Sequence, residues 1–506
     1  MTYNIIILWK ERIKSMNLRN ILSGITGIKA KGDVDIEIKT ITSNSKDVAK
    51  GSLFIAIKGF ETDGHEYIES AIENGATAIM IQEGYDYRKI AANDDITLLM
   101  VPDTRIAQAI CASNFFENPE KKLKLVGVTG TKGKTTTTFM IKEILEKQGK
   151  KVGLIGTVAS YADGKKIEDS DRTTPDSIHL HELLKKMVDA KCEVAVMEVS
   201  SQSLKLNRVY GLHFDIGVFT NLSEDHISEK EHPDMEDYFE SKLKLFDICD
   251  IAYVNSDDLY GQKVIHEAKC EIKTYGIDNA SDNIAKDITI TNSYADFKEK
   301  LYGKNERIKV GIPGRFSIYN ALAAICVCVK FDATVDNIKE ALAEIKVPGR
   351  SELVPNKKEL TIMIDYAHSP KSLESILLAV SAYTRGRVIS VFGCGGDRDS
   401  GKRPIMGEIS GRVADYTIIT SDNPRTEEPE KIVNQIEEGI KTTKGKYECI
   451  VDRYEAIKKA ISMANRNDII VLAGKGHEPY QEINHKKYPF DERIIVNEII
   501  DEMEKK

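Results

Sequence analysis

LKLVGVTGTKGKTTTT, Leu123 to Thr138, is the stretch that decides the fold. Its apolar residues Leu123, Leu125, Val126 and Val128 read as a buried strand. Gly130-Thr131-Lys132-Gly133-Lys134-Thr135 makes a glycine-rich turn, and Phe139, Met140, Ile141, Ile144 and Leu145 then fall at helical spacing. A strand, such a turn and a helix start form an anion cradle, because unpaired N–H groups point inward and the helix dipole favours negative charge. Lys134 would reach the outer phosphates of a nucleoside triphosphate, and the hydroxyl of Thr135 or Thr136 would hold Mg²⁺. The general pattern asks for glycine at 128, where this chain has Val128, with Gly127 one place early. The competing reading is a strand-to-helix turn that carries Gly-Lys-Thr by chance. The correct placement of all three elements argues against it.

Around this core stand 506 residues, enough for two to four domains. With 41% hydrophobic and 30% charged residues the composition is that of an ordinary globular protein. A net charge of −8 without a long basic block argues against nucleic acid as a partner. The eight cysteines are scattered with no CxxC pair, which predicts reduced core thiols rather than a metal or disulfide framework. Ile5 to Trp9 is too short for a signal segment, and no run approaches the roughly 20 apolar residues of a membrane span. A cytoplasmic protein with no membrane partner is expected.

In chain order, residues 1–15 read as an extension, with Met16 as an alternative start. Residues 16–118 read as a small mixed α/β domain, with strands at Ser52 to Ile57 and Thr77 to Ile81 and a helix at Tyr67 to Asn74. The polar cluster Thr42-Ser43-Asn44-Ser45-Lys46 is either a plain loop or part of a ligand rim. Residues 119–346 form the phosphate-loop domain. Glu193 to Val199 is a strand with Glu198 near its end, placed like the Mg²⁺-holding acid that partners a phosphate loop. Asp215 to Asn221 runs into Glu224-Asp225-His226, where a ligand or metal contact is expected at His226. Ala321 to Val329 reads as a buried helix.

In residues 347–506 the rhythm repeats. Strands at Thr361 to Ile364, Arg387 to Phe392, Tyr416 to Thr420 and Asp468 to Leu472 each end in a polar loop. That predicts a second, Rossmann-like parallel α/β domain with its loops at one sheet edge. The loops carry Arg398, Arg425, Lys475, Asn423 and Glu478. Arginine suits a carboxylate through its fork, and Asn423 and Glu478 could hold an ammonium group, so the pocket suits an amino acid. A nucleotide pocket and a zwitterion pocket in one chain are explained by ATP-driven ligation, in which a carboxylate is phosphorylated and an amine attacks it. Three α/β domains in all are expected.

On these residues the chain resembles the Mur ligases of peptidoglycan synthesis, from about Met16 to Ile500. Gly130 to Thr136 (GTKGKTT) matches that family's own form of the phosphate loop, which accounts for the missing glycine at 128. The resemblance implies ATP contacts at Gly130, Thr131, Lys132, Gly133, Lys134, Thr135, Thr136, Asn320, Arg350, Asp365 and His368. It implies an acceptor, UDP-MurNAc-L-Ala-D-Glu, held by Ser45, Gly64, His65, Thr173, Thr174, Ser200 and Arg208. It implies meso-diaminopimelate as the added amino acid, because Asp422-Asn423-Pro424-Arg425 carries the family's diaminopimelate signature, with Arg398, Gly474 and Glu478 at the other contact positions. Lys134, Glu198, His226 and Lys242 would be catalytic, with Thr135, Glu198, His226 and a carbamylated Lys242 organising Mg²⁺. By its helical pattern alone Lys242 reads as a surface residue. The chain departs from the family pattern at Gln202, where histidine is usual, at Leu206, at Ser317, and in a longer spacing from His226 to His232. A monomer is expected. The rivals are the same ligase adding L-lysine or another amino acid, a folate-type glutamate ligase, and a nucleotide-dependent regulatory module.

Overall fold

A computed structural model of the chain describes residues 15–60, 62–86, 88–91, 93–224, 227–228 and 231–505. The expected extension, apart from Ser15, and the candidate ligand His226 with Asp225 lie outside the described residues. The chain divides into two compact units. The first comprises Met1–Lys134, Gly149–Val254 and Asp258–Lys273; the second comprises Thr135–Gln148, Asn255–Asp257 and Thr274–Lys506.

The first unit opens with a five-stranded sheet, in the order Lys29–Lys31, Thr97–Val101, Ala76–Gln82, Ser52–Ile55, Thr40–Thr42. All neighbours are parallel except the antiparallel edge Lys29–Lys31. The strands are apolar on both faces, as parallel strands covered on two sides must be. Leu53, Ile55 and Met80 pack with Ala107, Cys111 and Phe115 of the helix Thr104–Phe115, while Phe54, Ile79 and Ile81 pack with Ile68 and Ala71. The second sheet of this unit places the phosphate-loop strand Lys124–Thr129 between Val194–Glu198 and Phe214–Phe219, parallel to both. Register sets Glu198 beside Val128 and Phe219 beside Thr129, so three strands end at one edge. Open α/β sheets bind ligands at that edge. Gly127 serves packing, since a Cβ there would stand 2.9 Å from the Phe214 ring. Val128 is fully buried in the strand. The early glycine thus has its own job.

The second unit contains the remainder of the phosphate-loop helix Lys134–Lys147 and the helix Arg315–Lys330, which is buried along most of its length as expected. It also contains an antiparallel sheet of Lys286–Ile290, Ala295–Leu301 and Lys304–Val310, which sequence reasoning missed. Its alternating signal is broken by Glu299, a charge at an inward position. The last sheet has the order Glu352–Leu353, Thr361–Asp365, Ile469–Ala473, Val388–Phe392, Tyr416–Ile419, Tyr447–Cys449. The four expected parallel strands are all present, joined by a fifth, Tyr447–Cys449, and an antiparallel edge. Helices cover both faces: Met363, Phe392 and Val471 face one core, and Ile364, Val391 and Leu472 the other. All eight cysteines are free, but Cys449 is exposed rather than a core thiol. No helix among the described residues is long and apolar enough to cross a membrane.

Candidate active site

The phosphate loop is held from behind by the end of the neighbouring strand. Thr131 N donates to the Asn221 carbonyl (2.8 Å) and Lys132 N to Asn221 Oδ1 (3.0 Å). Thr220 Oγ1 and Asn221 Nδ2 both donate to the Lys132 carbonyl, at 2.7 and 3.0 Å. Gly130 has a φ of 144°, and a Cβ there would come within 1.9 Å of Thr220 Oγ1. Only glycine fits that close approach. Two ammonium groups converge on the Gly130 carbonyl: Lys134 Nζ at 2.8 Å and Lys242 Nζ at 2.9 Å. Lys242 is 1% exposed, not on the surface, and its Nζ also lies 4.6 Å from the Tyr238 ring centre. The helix Met235–Leu243 turns this side chain inward, a placement that the sequence pattern alone did not show.

Both lysines line a cleft of about 860 Å³ within the first unit. Arg105, Arg172 and Arg208 add positive charge to it, and Thr173, Thr174, Ser200 and Ser201 add hydroxyls. Burial, with Arg172 and Arg105 nearby, pulls the Arg208 guanidinium down to about 10, so it stays charged at neutral pH. A desolvated cation among like charges favours an anionic occupant. Thr174 ties the two strand-end loops together, since its hydroxyl donates to the Glu198 carbonyl at 2.9 Å and accepts from Ser200 N at 3.0 Å. Glu198 is buried, and its two oxygens accept from Thr157 N (2.8 Å) and the Thr157 hydroxyl (3.0 Å). Its carboxylate, with a threonine hydroxyl, is the hard-oxygen chemistry that suits Mg²⁺. Among the described residues, no group of three or more His, Cys, Asp and Glu side chains could by itself hold a metal ion.

In the second unit, Arg350, Asp365 and His368 gather about Tyr366. The Arg350 guanidinium lies 4.8 Å from the Tyr366 ring centre, and the His368 ring 4.5 Å from it. Burial raises Asp365 against the pull of Arg350, and burial lowers His368, opposed by its bond to the Tyr366 carbonyl and reinforced by Lys402 and Arg350. Asn320 is buried on the helix Arg315–Lys330, where Thr137 Oγ1 donates to it at 3.4 Å. The loops after the last sheet's strands also meet. Asn423 Nδ2 donates to Glu478 Oε2 (2.7 Å), and fully buried Lys475 donates to Asn423 Oδ1 (3.0 Å). Arg425 Nη1 donates to the Gly396 carbonyl (2.8 Å). A Cβ on Gly395 would lie 2.9 Å from Arg425 Nη1 and 3.8 Å from the Arg398 stem, and one on Gly474 would lie 2.5 Å from Asp422 Oδ2. Burial, opposed by Lys475, raises the Glu478 carboxyl, while burial, opposed first by Asp422, lowers Lys475. The result is a hydrogen-bonded cluster of cations, a carboxylate and an amide.

Residues 37–124 match the family model described as Mur ligase family, catalytic domain; 128–328 match the Mur ligase middle domain; and 349–476 match the Mur ligase, glutamate ligase domain. A Clostridium tetani protein named UDP-N-acetylmuramoyl-L-alanyl-D-glutamate--2,6-diaminopimelate ligase is 44% identical over 491 residues, covering 96% of this chain and 100% of its own length. The chain belongs to the Mur ligase family. A protein of the same name from Caldanaerobacter subterraneus subsp. tengcongensis is 46% identical over 491 residues, covering 97% of this chain and 100% of its own. A solved structure of a ligase so named is 27% identical, with a TM-score of 0.68, covering 97% of this chain and 100% of the other. The three-domain Mur ligase architecture follows.

Of the residues that sequence assigns to a Mur ligase acceptor site, Thr173, Thr174, Ser200 and Arg208 line the cleft. Ser45, Gly64 and His65 are not among its lining, although Ser43, Asn44 and Asp47 are. His65 is buried and committed elsewhere: Nδ1 lies 2.6 Å from Asp63 Oδ1 and Nε2 accepts from Gln82 N at 3.1 Å. Sequence reasoning missed Arg105 and Phe60. Arg105 sits in the first turn of a helix capped by Asp103, and nothing in its local pattern sets it apart from a surface arginine. Phe60 is 60% exposed beside the Gly59 turn, and a lone aromatic in a turn carries no signal of its own.

Proposed function

We propose that this chain is an ATP-dependent amide ligase that adds meso-2,6-diaminopimelate to UDP-MurNAc-L-Ala-D-Glu through an acyl phosphate, in cytoplasmic peptidoglycan precursor synthesis. The observation that carries this reading is that Lys134 of the phosphate loop lines the same cleft as Thr173, Thr174, Ser200 and Arg208. A group suited to phosphoryl transfer and a cationic site for an anionic acceptor thus share one cavity within one unit. The relatives at 44% and 46% identity bear names that agree with it.

In this reading residues 16–118 grip the UDP end, 119–346 bind ATP and Mg²⁺, and 347–506 bring the amino acid to a monomeric enzyme. ATP supplies the phosphoryl group that activates the acceptor carboxylate, and Mg²⁺ offsets its charge. Thr135, Glu198, His226 and a carbamylated Lys242 would hold the metal, the carbamate supplying a second carboxylate beside Glu198. Lys134 neutralises charge on the phosphoryl oxygens. Thr174 and Ser200 orient the acceptor, and Arg208 and Arg105 hold its anionic groups. Arg425 and Arg398 read the distal carboxylate of diaminopimelate, which lysine lacks, and Asn423 and Glu478 take its ammonium. The test is ADP release from ATP. It should require both acceptor and amino acid, and Lys134→Ala should lower it on the order of a hundredfold or more. Release that ignores the acceptor, or a Lys134→Ala enzyme of normal rate, would sink the proposal.

A further inference from the structure

The cleft wall carries a hydrogen-bond chain that none of the roles above uses. Ser201 opens the short helix Ser201–Lys205 and lines the cleft. Its hydroxyl lies 2.8 Å from His232 Nε2, and His232 Nδ1 lies 2.6 Å from Asp237 Oδ2. Asp237 stands in the first turn of the helix Met235–Leu243, which also bears Tyr238 and Lys242.

The direction of each bond follows from the chemistry of its partners. Burial would raise Asp237, but hydrogen bonds from Lys205 and His232 hold it below the usual carboxylate range, so it is ionised and only accepts. The ring hydrogen therefore sits on Nδ1. With that hydrogen on Nδ1, Nε2 of the neutral ring carries the lone pair. The Ser201 hydroxyl must then donate to it. The other groups facing the ring are Lys205, 2.7 Å from Asp237 Oδ2; Tyr238, whose ring centre lies 4.8 Å away; and Lys242, a like charge when unmodified and an opposite charge once carbamylated. The geometry is that of a serine–histidine–aspartate relay.

We propose that Ser201, His232 and Asp237 form a proton relay that opens into the acceptor cleft at the Ser201 hydroxyl and deprotonates the incoming ammonium group. This rests on the ligase reading above. An ammonium nitrogen has no lone pair to attack with. One of its protons passes to Ser201 Oγ as the Ser201 proton passes to His232 Nε2, and Asp237 stabilises the imidazolium that forms. The free amine then uses its lone pair to make the C–N bond. The C–O bond to phosphate breaks with its electron pair on the leaving phosphate, which takes the second N–H proton. His232 returns its proton to water before the next turnover.

Hydroxylamine separates this role from a structural one, because it is already neutral at pH 7 and traps an acyl phosphate as a hydroxamate without a base. In the full-length His232→Gln enzyme, amide formation with the amino acid should fall about a hundredfold at pH 7. The deficit should shrink toward alkaline pH, where the amine is free. Hydroxamate formation from acceptor, ATP and hydroxylamine should stay within twofold of the unsubstituted enzyme. Ser201→Ala, which leaves the His232–Asp237 pair in place, should show the same pH-dependent loss of amide formation when that is expressed relative to its own hydroxamate rate. A parallel loss of hydroxamate, an amide deficit equal at every pH, or a Ser201→Ala enzyme with an unchanged pH profile would each overturn the relay. No hydroxamate from the unsubstituted enzyme would instead overturn the ligase reading beneath it.

Discussion

Lys134 and Lys242 meet at one backbone oxygen, that of Gly130. Two like charges sharing an acceptor in a buried loop are a poor arrangement for an empty site and a good one for a site that receives phosphate. Carbamylation of Lys242 would reverse its charge and remake the site around a cation, which is why the modification matters to the proposed chemistry. A different buried charge has a cost that can be measured. Glu299 is 2% exposed in the strand Ala295–Leu301, and among the described residues neither of its carboxylate oxygens has a hydrogen-bond partner. Burial pushes its carboxyl up to about 8. Its folded value lies above its unfolded one, so the folded state binds the extra proton between the two. The penalty from burying Glu299 is absent below the unfolded value of about 4.5, grows as pH rises and is complete above about 8. Glu299→Leu should therefore raise the Tm, by little at pH 5 and by the equivalent of a few kcal/mol at pH 8.5. A gain that does not grow with pH, in paired melts across this range, would show that Glu299 has a partner in the folded state.

At the scale of elements, the proposed amino-acid site depends on two loops being held together. Arg403, 1% exposed on the helix Lys402–Val413, donates to both oxygens of Glu427 at 2.9 and 2.8 Å, to Gln435 Oε1 at 2.6 Å and to the Gly395 carbonyl at 3.2 Å. Glu427 Oε1 also accepts from Asp397 N at 2.7 Å. The loop after Val388–Phe392 is thus joined to the one after Tyr416–Ile419, and these loops carry Arg398 and Arg425. Arg403, held there at bidentate geometry, keeps Glu427 down to about 2, so the pair stays ionised across the working pH range. Glu427 is still about a quarter exposed, so breaking the pair from the Arg403 side costs roughly 1.5–3 kcal/mol, the range of a hydrogen bond to a charged group. Arg403→Met should lower the Tm and raise the KM for the amino acid about tenfold or more, while the KM for ATP stays within twofold. Equal changes in both constants would mean that the brace supports the fold at large rather than this pocket.

For the whole molecule, the parallel sheets were legible because each buried strand is a short apolar run that ends in a polar loop, as Thr361–Asp365 and Ile469–Ala473 do. The antiparallel sheet at 286–310 was not, since Glu299 interrupts its alternation. The phosphate loop announced itself through a strand, a glycine-rich turn and a helix start in the right order, although the first glycine of the general pattern is one place early. Of the cleft wall, Thr173, Thr174, Ser200 and Arg208 were legible, while Arg105 and Phe60 were not, because they come from separate stretches without a local signal. Lys242 looked like a surface lysine because a helix gives the same polar signal whether its lysine faces water or a phosphate loop. The measurement that bears most directly on the central claim is the mass of the product made from ATP, UDP-MurNAc-L-Ala-D-Glu and an equal mixture of meso-diaminopimelate and L-lysine. The account predicts one dominant product carrying diaminopimelate in amide linkage, formed in step with ADP. A product carrying lysine, or ADP formed with no amide at all, would contradict it.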